Sequence, residues 1–306
     1  MSVHHATLRQ LKVFHTLSRE LSVTRTAEVL HLTPPAVSIQ VKQLAEAVGQ
    51  PLIEQIGRRI HLTAAGERVA AACRDLFERM DLLEQELAML KGVEHGRVKV
   101  AIITTSKYFM PRLLGRFCRR HPGIDVSLFV GNRDQLLERI RNNEDDLYIL
   151  GRPPRDLPVV AEVFADNPLV VVAAPNHPLA REGKIGPERL CEAPFLLREP
   201  GSGTRLAVLD FFRRHKLEPR IHMELGSNEA IKQCVMAELG VAVLSYLNVQ
   251  QDHQAGRIAL LDVEGFPLKR HWYIIQQRNR QLLPSAEAFK RFLLDVKLDG
   301  LPDAPA

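Results

Sequence analysis

The sequence predicts a mainly α head built as a winged helix-turn-helix, followed by an α/β domain of two lobes. Three observations predict it. Short apolar-periodic segments between residues 8 and 48 are split by tight-turn signals, a long helical run covers residues 64 to 90, and strand-like runs then alternate with helical ones from Arg97 onward.

The first helix is written by Leu8, Leu11, Val13, Phe14 and Leu17, which recur at helical spacing and give one apolar face ending near Glu20. Thr24 is positioned to cap a second helix through Leu30, and His31-Leu32 makes the turn. Thr33 is a good N-cap, and Pro34 follows at the first helical position, where a missing N–H costs nothing. The third helix runs to about Val48, with Ala36, Val37, Val41, Leu44 and Val48 toward a core and Ser38, Gln40, Lys42 and Gln43 on other faces. Gly49-Gln50-Pro51-Leu52 stops it. Two short extended pieces around Gly57-Arg58-Arg59 then suit a wing hairpin. Thr63 caps the long run, in which Val69, Leu76, Met80, Leu83, Leu87 and Leu90 approximate a heptad seam for pairing two copies. Lys91 to Gly96 reads as a hinge, so the expected domains are 1–66, a linker helix and hinge at 67–96, and 97–306.

In the last of these, strands are expected at 98–104, 124–130 and 147–150, with helices at 111–120 and 134–142 between them. A second lobe starts with the strand at 168–174. It continues through Phe195-Leu196-Leu197, helix 204–215, strand 220–225, helix 228–239 and strand 241–245, before a strand at 272–276 and a helix at 285–296. This is the rhythm of parallel sheets covered by helices, and ligands of such sheets bind beyond the strands' carboxyl ends.

Composition narrows the function classes. The 306 residues are 45% hydrophobic and 25% charged, enough for more than one core, and the net charge of +5 suits a polyanionic partner. Within residues 1–70, eight lysines and arginines face five glutamates, so the case for DNA rests on pattern before charge. Cys73, Cys118, Cys191 and Cys234 are widely spaced amid apolar or helical sequence, as buried thiols in a reducing compartment would be. Residues 1–10 lack the apolar core of a signal peptide and no apolar run approaches membrane-spanning length, so a cytoplasmic location without a membrane partner is expected. Catalysis has little support in the sequence. The segment 201–205 lacks Walker spacing, Ser202 lacks the spacing of a nucleophile elbow, and the 12 histidines form no metal-ligand cluster, so no enzyme, metal or cofactor is expected.

Taken together, Phe14, Ala27, Leu30, Thr33, Pro35-Ala36-Val37-Ser38, Leu44, Leu52, Arg58-Arg59, Leu62-Thr63 and Ala65-Gly66 resemble the head of the LysR-type bacterial transcription regulators. The resemblance implies a winged helix-turn-helix joined by a linker helix to a periplasmic-binding-protein-like effector domain. Lys107-Tyr108-Phe109, Gly131-Asn132-Arg133, Gly151-Arg152-Pro153-Pro154, the stretch 198–205, Gly226-Ser227-Asn228 and Leu261-Asp262-Val263 are similar to one branch, the regulators of RuBisCO and Calvin-cycle operons. A LysR-type regulator of another metabolic operon is the alternative. Three positions depart from the family pattern: Pro34 and Ala45 stand where glutamine and glutamate are usual, and Glu238 where a glycine commonly precedes Leu239-Gly240.

On that reading the DNA-contacting candidates are Thr33, Pro34, Ser38, Gln40, Lys42, Arg58 and Arg59. Glutamine has the two-pronged geometry for adenine, whereas lysine and arginine on phosphates position the head without reading sequence. Thr33 serves equally well as a cap. In the second domain, Thr104-Thr105-Ser106 follows a strand and opens a helix, which suits an anionic group, and Asn132, Ser202, Thr204 and Arg205 offer further polar groups at element starts. The resemblance adds Lys107, Gly151 and Arg152 and implies a small effector such as NADPH or a phosphorylated Calvin-cycle metabolite. It also implies promoter DNA and RNA polymerase as partners, and a homodimer that associates further into a homotetramer.

Overall fold

The computed structural model describes residues 3–57, 59–90 and 95–296 and divides into two compact units, Met1–Leu87 and Ala88–Ala306. The expected wing residue Arg58 and hinge residues 91–94 lie outside the described residues, as does the side chain of Leu90.

In the first unit α1 (Leu8–Glu20) opens with a reciprocal capping box between Thr7 and Gln10. The cap of α2 (Val23–Leu30) is Ser22, not Thr24: the Ser22 hydroxyl accepts the Arg25 N–H at 3.4 Å, and Thr24 sits inside the first turn. Both residues carry a capping hydroxyl, and the extended backbone that a cap needs falls on Ser22. His31 takes the left-handed conformation, φ 52°, and the Leu32 N–H closes on the Ala27 carbonyl at 2.8 Å, which makes the turn tight. Thr33 caps α3 (Pro34–Val48) with Pro34 at its start, and Gly49 ends it at φ 80°. Val37, Val41 and Leu44 are buried against Val13, Phe14 and Leu17 of α1 and Ala27 of α2.

The wing is the antiparallel hairpin of β1 (Ile53–Ile56) and β2 (Arg59–Leu62). It is tied to α4 (Ala64–Leu90) through Thr63, whose hydroxyl donates to the Pro51 carbonyl at 2.6 Å and accepts the Gly66 N–H at 3.0 Å. A Cβ on Gly66 would fall 1.9 Å from the Leu52 carbonyl oxygen, so this close approach of helix and wing needs glycine. Along α4, Val69 packs toward the head core while Leu76, Met80, Leu83 and Leu87 are exposed.

The second unit begins with β3 (Gly96–Ile103), a 3-10 turn at Thr104–Tyr108, α5 (Met110–Arg120), β4 (Ile124–Gly131), α6 (Arg133–Arg141), β5 (Leu147–Leu150) and β6 (Val159–Asp166). The chain then builds its other lobe from β7 (Leu169–Ala173), α7 (Pro187–Cys191), β8 (Phe195–Arg198), α8 (Gly203–Arg214), β9 (Ile221–Leu225), α9 (Asn228–Met236), β10 (Ala242–Ser245), α10 (Tyr246–Gln254) and β11 (Ala259–Leu261). It returns to the first lobe with β12 (His271–Gln277) and α11 (Pro284–Asp295).

The expected parallel sheets are mixed. In the order β4-β3-β5-β12-β6, β3 is parallel to β4 and β5, whereas β12 runs antiparallel to both β5 and β6 because the chain re-enters this lobe from the opposite end. In the second lobe β10 and β11 flank β7 antiparallel, β8 and β9 pair in parallel, and a bridge between Phe195 and Val241 joins the two sets. Both sheets are covered on both faces. Val98, Val100 and Ile102 of β3, with Trp272 of β12 on the same sheet face, pack with Phe117 of α5 and Phe289 of α11, while Ala101 packs on the other face with Leu136 and Ile140 of α6. Val171 and Phe195 pack with Phe211 and Phe212 of α8, while Val170 and Val172 pack with Ile231 and Val235 of α9. Two crossovers connect the lobes: Asn167 donates its N–H to the Arg270 carbonyl at 2.7 Å, and Leu169 pairs with Leu268 beside it.

Glu238 follows α9 at φ 63°, with the Leu239 N–H reaching back to the Cys234 carbonyl at 3.0 Å. This is the left-handed residue of a helix-ending motif. It gives the glycine of the family pattern a physical reason, and here glutamate occupies the position.

Candidate functional site

Two faces concentrate the sequence candidates. On α3, Pro35, Ile39, Lys42 and Glu46 recur at the helical period and form the outward stripe, with Pro34 and Ser38 exposed along its edge. The Ser38 hydroxyl donates to the Pro34 carbonyl at 3.2 Å, and Thr33 is engaged as the cap at 3.4 Å from the Ala36 N–H. Gln40 is half-buried on the opposite flank of the helix from Ser38, and Arg59 is exposed at the start of β2. Ile39 was missed in the sequence. It is 53% exposed at the middle of a polar stripe, an apolar side chain with no core to enter.

Between the two α/β lobes lies a cavity of about 250 Å³. Seven of the sequence candidates line it: Thr104 and Thr105 at the end of β3, Asn132 at the end of β4, Gly151 and Arg152 after β5, and Ser202 and Thr204 at the start of α8. Ser202 is the α8 cap, so the first turn of that helix opens on the cavity. The other three stand apart from the wall. Ser106 is fully buried and donates its hydroxyl to the Ile103 carbonyl at 2.7 Å. Lys107 is exposed, with its ammonium over the Tyr108 ring. Arg205 turns away to the Arg198 carbonyl at 2.8 Å and Glu224 at 2.7 Å, because in α8 it follows the cavity-lining Thr204 around the helix.

The cavity wall also holds Arg133, Arg155, Arg198 and Arg270, which sequence reasoning did not select, and no aspartate or glutamate among the described residues lines it. Arg133 and Arg270 are both pushed below the usual arginine range, first by burial and next by the adjacent charge of Arg152. Arg133 also donates to the Arg152 carbonyl at 2.5 Å, which holds that arginine-rich edge together. Two buried oxygens in the wall, Thr105 Oγ1 and Asn167 Oδ1, have no protein partner. The arrangement presents excess positive charge, hydroxyls and a helix start in a confined space. That set suits a small polyanion.

Arg198 plays a different part. Its guanidinium is 2% exposed and donates to both Glu199 oxygens at 2.6 and 2.9 Å, to Asn228 Oδ1, and across the lobes to Thr104 Oγ1 at 3.2 Å. A second cross-lobe link runs from the Tyr108 hydroxyl to Glu229 at 3.2 Å. Glu229 pairs with Lys232 at 3.0 Å, and Lys232 with the buried Asp252 at 2.7 Å. Burial, reinforced by the Glu229 charge, holds the Tyr108 phenol protonated well above its ordinary range.

A family model described as a bacterial regulatory helix-turn-helix protein, lysR family, matches residues 8–67, and one described as a LysR substrate binding domain matches residues 91–297. The chain is similar to a RuBisCO operon transcriptional regulator of Acidithiobacillus ferrooxidans, 54% identical over 98% of this chain and 97% of that protein. It is also similar to the HTH-type transcriptional activator CmpR of Synechocystis, 50% identical over 94% of this chain and 95% of that one. Among solved structures, the Synechocystis CcmR regulatory domain in complex with 2-PG superposes with a TM-score of 0.63 at 45% identity, covering 65% of this chain and 96% of that chain.

Proposed function

The chain belongs to the LysR family of DNA-binding transcriptional regulators and is closely related to those of RuBisCO and Calvin-cycle operons; from that premise we propose that it activates carbon-fixation genes in response to a small phosphorylated metabolite. The observation that carries the metabolite reading is the interlobe cavity, where Arg133, Arg152, Arg155 and Arg270, besides the Glu199-paired Arg198, converge with two hydroxyl-bearing element starts on a wall that holds no carboxylate among the described residues. The related CcmR domain is seen with 2-PG, so 2-PG is the first ligand class to try, ahead of NADPH. Thr104, Thr105, Asn132, Ser202 and Thr204 would orient the anion by hydrogen bonds, and Arg133, Arg152 and Arg270 would neutralise it.

In the head, α3 enters the major groove with Ser38, Lys42 and the Thr33-Pro34 start against DNA, Gln40 at the flank and Arg59 of the wing on backbone phosphates. Two copies pair through the apolar seam of α4 and present two heads to an inverted repeat, and dimers associate into a tetramer. Closure of the lobes on the metabolite repositions the heads and the contact with RNA polymerase. Among the described residues no helix is long and apolar enough to cross a membrane, and the site of action is the cytoplasm.

Footprinting on a carbon-fixation promoter at stated salt tests this reading, with 2-phosphoglycolate, 2-phosphoglycerate and NADPH as separate additions. A specific two-site footprint that shifts with one phosphorylated ligand is expected. Specific binding only at other promoters would move the protein to another operon, and a footprint indifferent to every ligand would remove the metabolite response.

A further inference from the structure

Residues 97–124 contain seven lysines and arginines and no aspartate or glutamate. Four of the seven fall in α5, where Arg112, Arg116 and Arg119 recur at i, i+4 and i+7 and share one exposed face, with Arg120 beside it. Met110, Leu113 and Phe117 hold the inner side of the helix in the first-lobe core. Gly115 leaves room along the outer side: a Cβ there would lie 3.6 Å from Arg119 Nη1, so the Arg119 guanidinium lies back over the glycine. Arg120 is engaged elsewhere, its guanidinium 5.5 Å from the centre of the Phe292 ring.

Many arginines of this domain are held by carboxylates: Arg139, Arg141, Arg189, Arg205, Arg257 and Arg280 each have one at 3.4 Å or closer. Among the described residues Arg112, Arg116 and Arg119 have neither an ion pair nor a side-chain hydrogen bond. The helix dipole accounts for Arg119 and Arg120 in the last turn. It does not account for Arg112, which stands in the first turn, where positive charge is unfavourable and no acidic residue offsets it. Like charges one turn apart repel, and a polyanion laid along them removes that cost. A protein partner would need an apolar centre amid the charge, and α5 presents no exposed large apolar side chain. Backbone phosphates need only the charge and the planar fork of arginine. The stripe runs about 10 Å along the helix, close to the rise of three nucleotides in one strand of a duplex.

We propose that the arginine face of α5 is a second DNA contact, through which the effector domain itself holds the phosphate backbone of duplex outside the base pairs that the heads read. Arg112, Arg116 and Arg119 each take one phosphate. The contact lengthens the stretch of duplex held by one oligomer. It adds affinity that falls with salt and carries no base readout.

The test titrates the full-length protein by fluorescence anisotropy against two promoter duplexes, one cut at the edges of the head footprint and one extended on both sides, each across a salt series. The wild type is compared with R112A/R116A/R119A, with R116A, and with R112K/R116K/R119K; all three positions are exposed, so the replacements leave the core untouched. On the extended duplex the triple alanine variant should reduce the steepness of log K against log salt by about 2.7 for each engaged subunit, about 0.9 for each phosphate released. The affinity advantage of the wild type over that variant then shrinks roughly 40-fold between about 50 and about 200 mM salt. R116A should reduce the steepness by about 0.9, and the lysine variant should keep the wild-type value. On the short duplex all four proteins should bind alike, which reports the heads separately from the stripe. Equal steepness for the wild type and the triple alanine variant on the extended duplex would overturn the proposal, as would a loss of equal size on both duplexes in R116A. Unchanged DNA binding by the alanine variants together with reduced transcription by purified RNA polymerase would assign the stripe to a protein partner and overturn the DNA contact.

Discussion

Replacing Arg198 with methionine keeps an apolar stem of similar reach and deletes the guanidinium. Two hydrogen bonds to Glu199, one to Thr104 and one to Asn228 go with it. Asn228 is 1% exposed and its Nδ2 already lacks a protein partner, so losing the donor on Oδ1 leaves the whole amide unsatisfied. Removing one member of a buried ion pair costs roughly 3–5 kcal/mol. Glu199 is 22% exposed and can take up water, which places R198M at the lower end, about 3 kcal/mol or roughly a hundredfold in the unfolding equilibrium. R198K keeps the charge but loses the planar fork that reaches three partners at once, and should still cost about 1–2 kcal/mol. The assay is urea unfolding followed by the emission of Trp272, the only tryptophan in the chain, which is buried in the lobe that Thr104 leads out of. A loss below about 1 kcal/mol for R198M would refute the strut, because Glu199 and Asn228 would then have found other partners. Unchanged stability with abolished metabolite binding would make Arg198 a ligand group instead.

Acid should weaken the second domain. Burial pushes the Asp252 carboxyl up, but hydrogen bonds from Lys232 and Arg257 outweigh it and hold it below the ordinary 3.8; Glu229 is likewise held below 4.5, with burial opposed by Gln233 and Lys232. Lowered folded-state values mean that this stability is present above about pH 4.5 and disappears as pH falls through the folded values, so unfolding curves at pH 7, 4 and 3 should fall in that order and D252N should flatten the trend. Placing aspartate at the exposed Leu83 and Leu87 of α4 should break the proposed tetramer into dimers in sedimentation, whereas the same change at exposed Leu206 should leave the mass unaltered. With α3 in the major groove as proposed, the exposed Ile39 would meet a thymine methyl group, so in a selected operator a thymine-to-uracil change should weaken wild-type binding by about 1 kcal/mol and leave I39A indifferent. E238G should raise the unfolding free energy by about 0.5–1 kcal/mol in the same Trp272 assay, the relief of a left-handed glutamate less the added freedom of glycine in the unfolded chain.

Much of the head was legible because its signals are local. Thr33, Pro34 and Gly49 bound α3 by chemistry that acts within one turn, and Val37, Val41 and Leu44 mark its core face by period alone. Ser22 and Thr24 could not be separated that way, since both carry a capping hydroxyl and the backbone decides. In the second domain β6 went unread because both its faces are half-covered and its pattern lacks a clean alternation, and α10 because Asn248, Gln250, Gln251 and Asp252 dilute its apolar face. The cleft was half legible. Thr104, Asn132, Ser202 and Thr204 stand at element starts, a position the sequence marks, but Arg133, Arg155 and Arg270 converge only through the lobe arrangement. Arg270 had one usable signal, its place just before the strand at 272–276 in a segment that changes lobes. Arg205 and Arg198 lie on either side of the same loop, and only the direction of each side chain separates the one in the cleft from the one outside it.

The route of the chain through the two lobes also sets an order of events during synthesis. Residues 169–268 contain every strand of the second lobe and its bridging residues Val263 and Leu268, so that lobe has its pairing partners once its own segment has emerged. The first lobe does not. Its sheet lacks the strand between β5 and β6 until residues 271–277 arrive, and Phe117 waits for Phe289 and Phe292 to close the core. On the ribosome the lobe encoded first is therefore completed last, and for the time taken to make more than a hundred residues the exposed faces of β3, β4 and β5 are in the care of whatever else shields nascent chains.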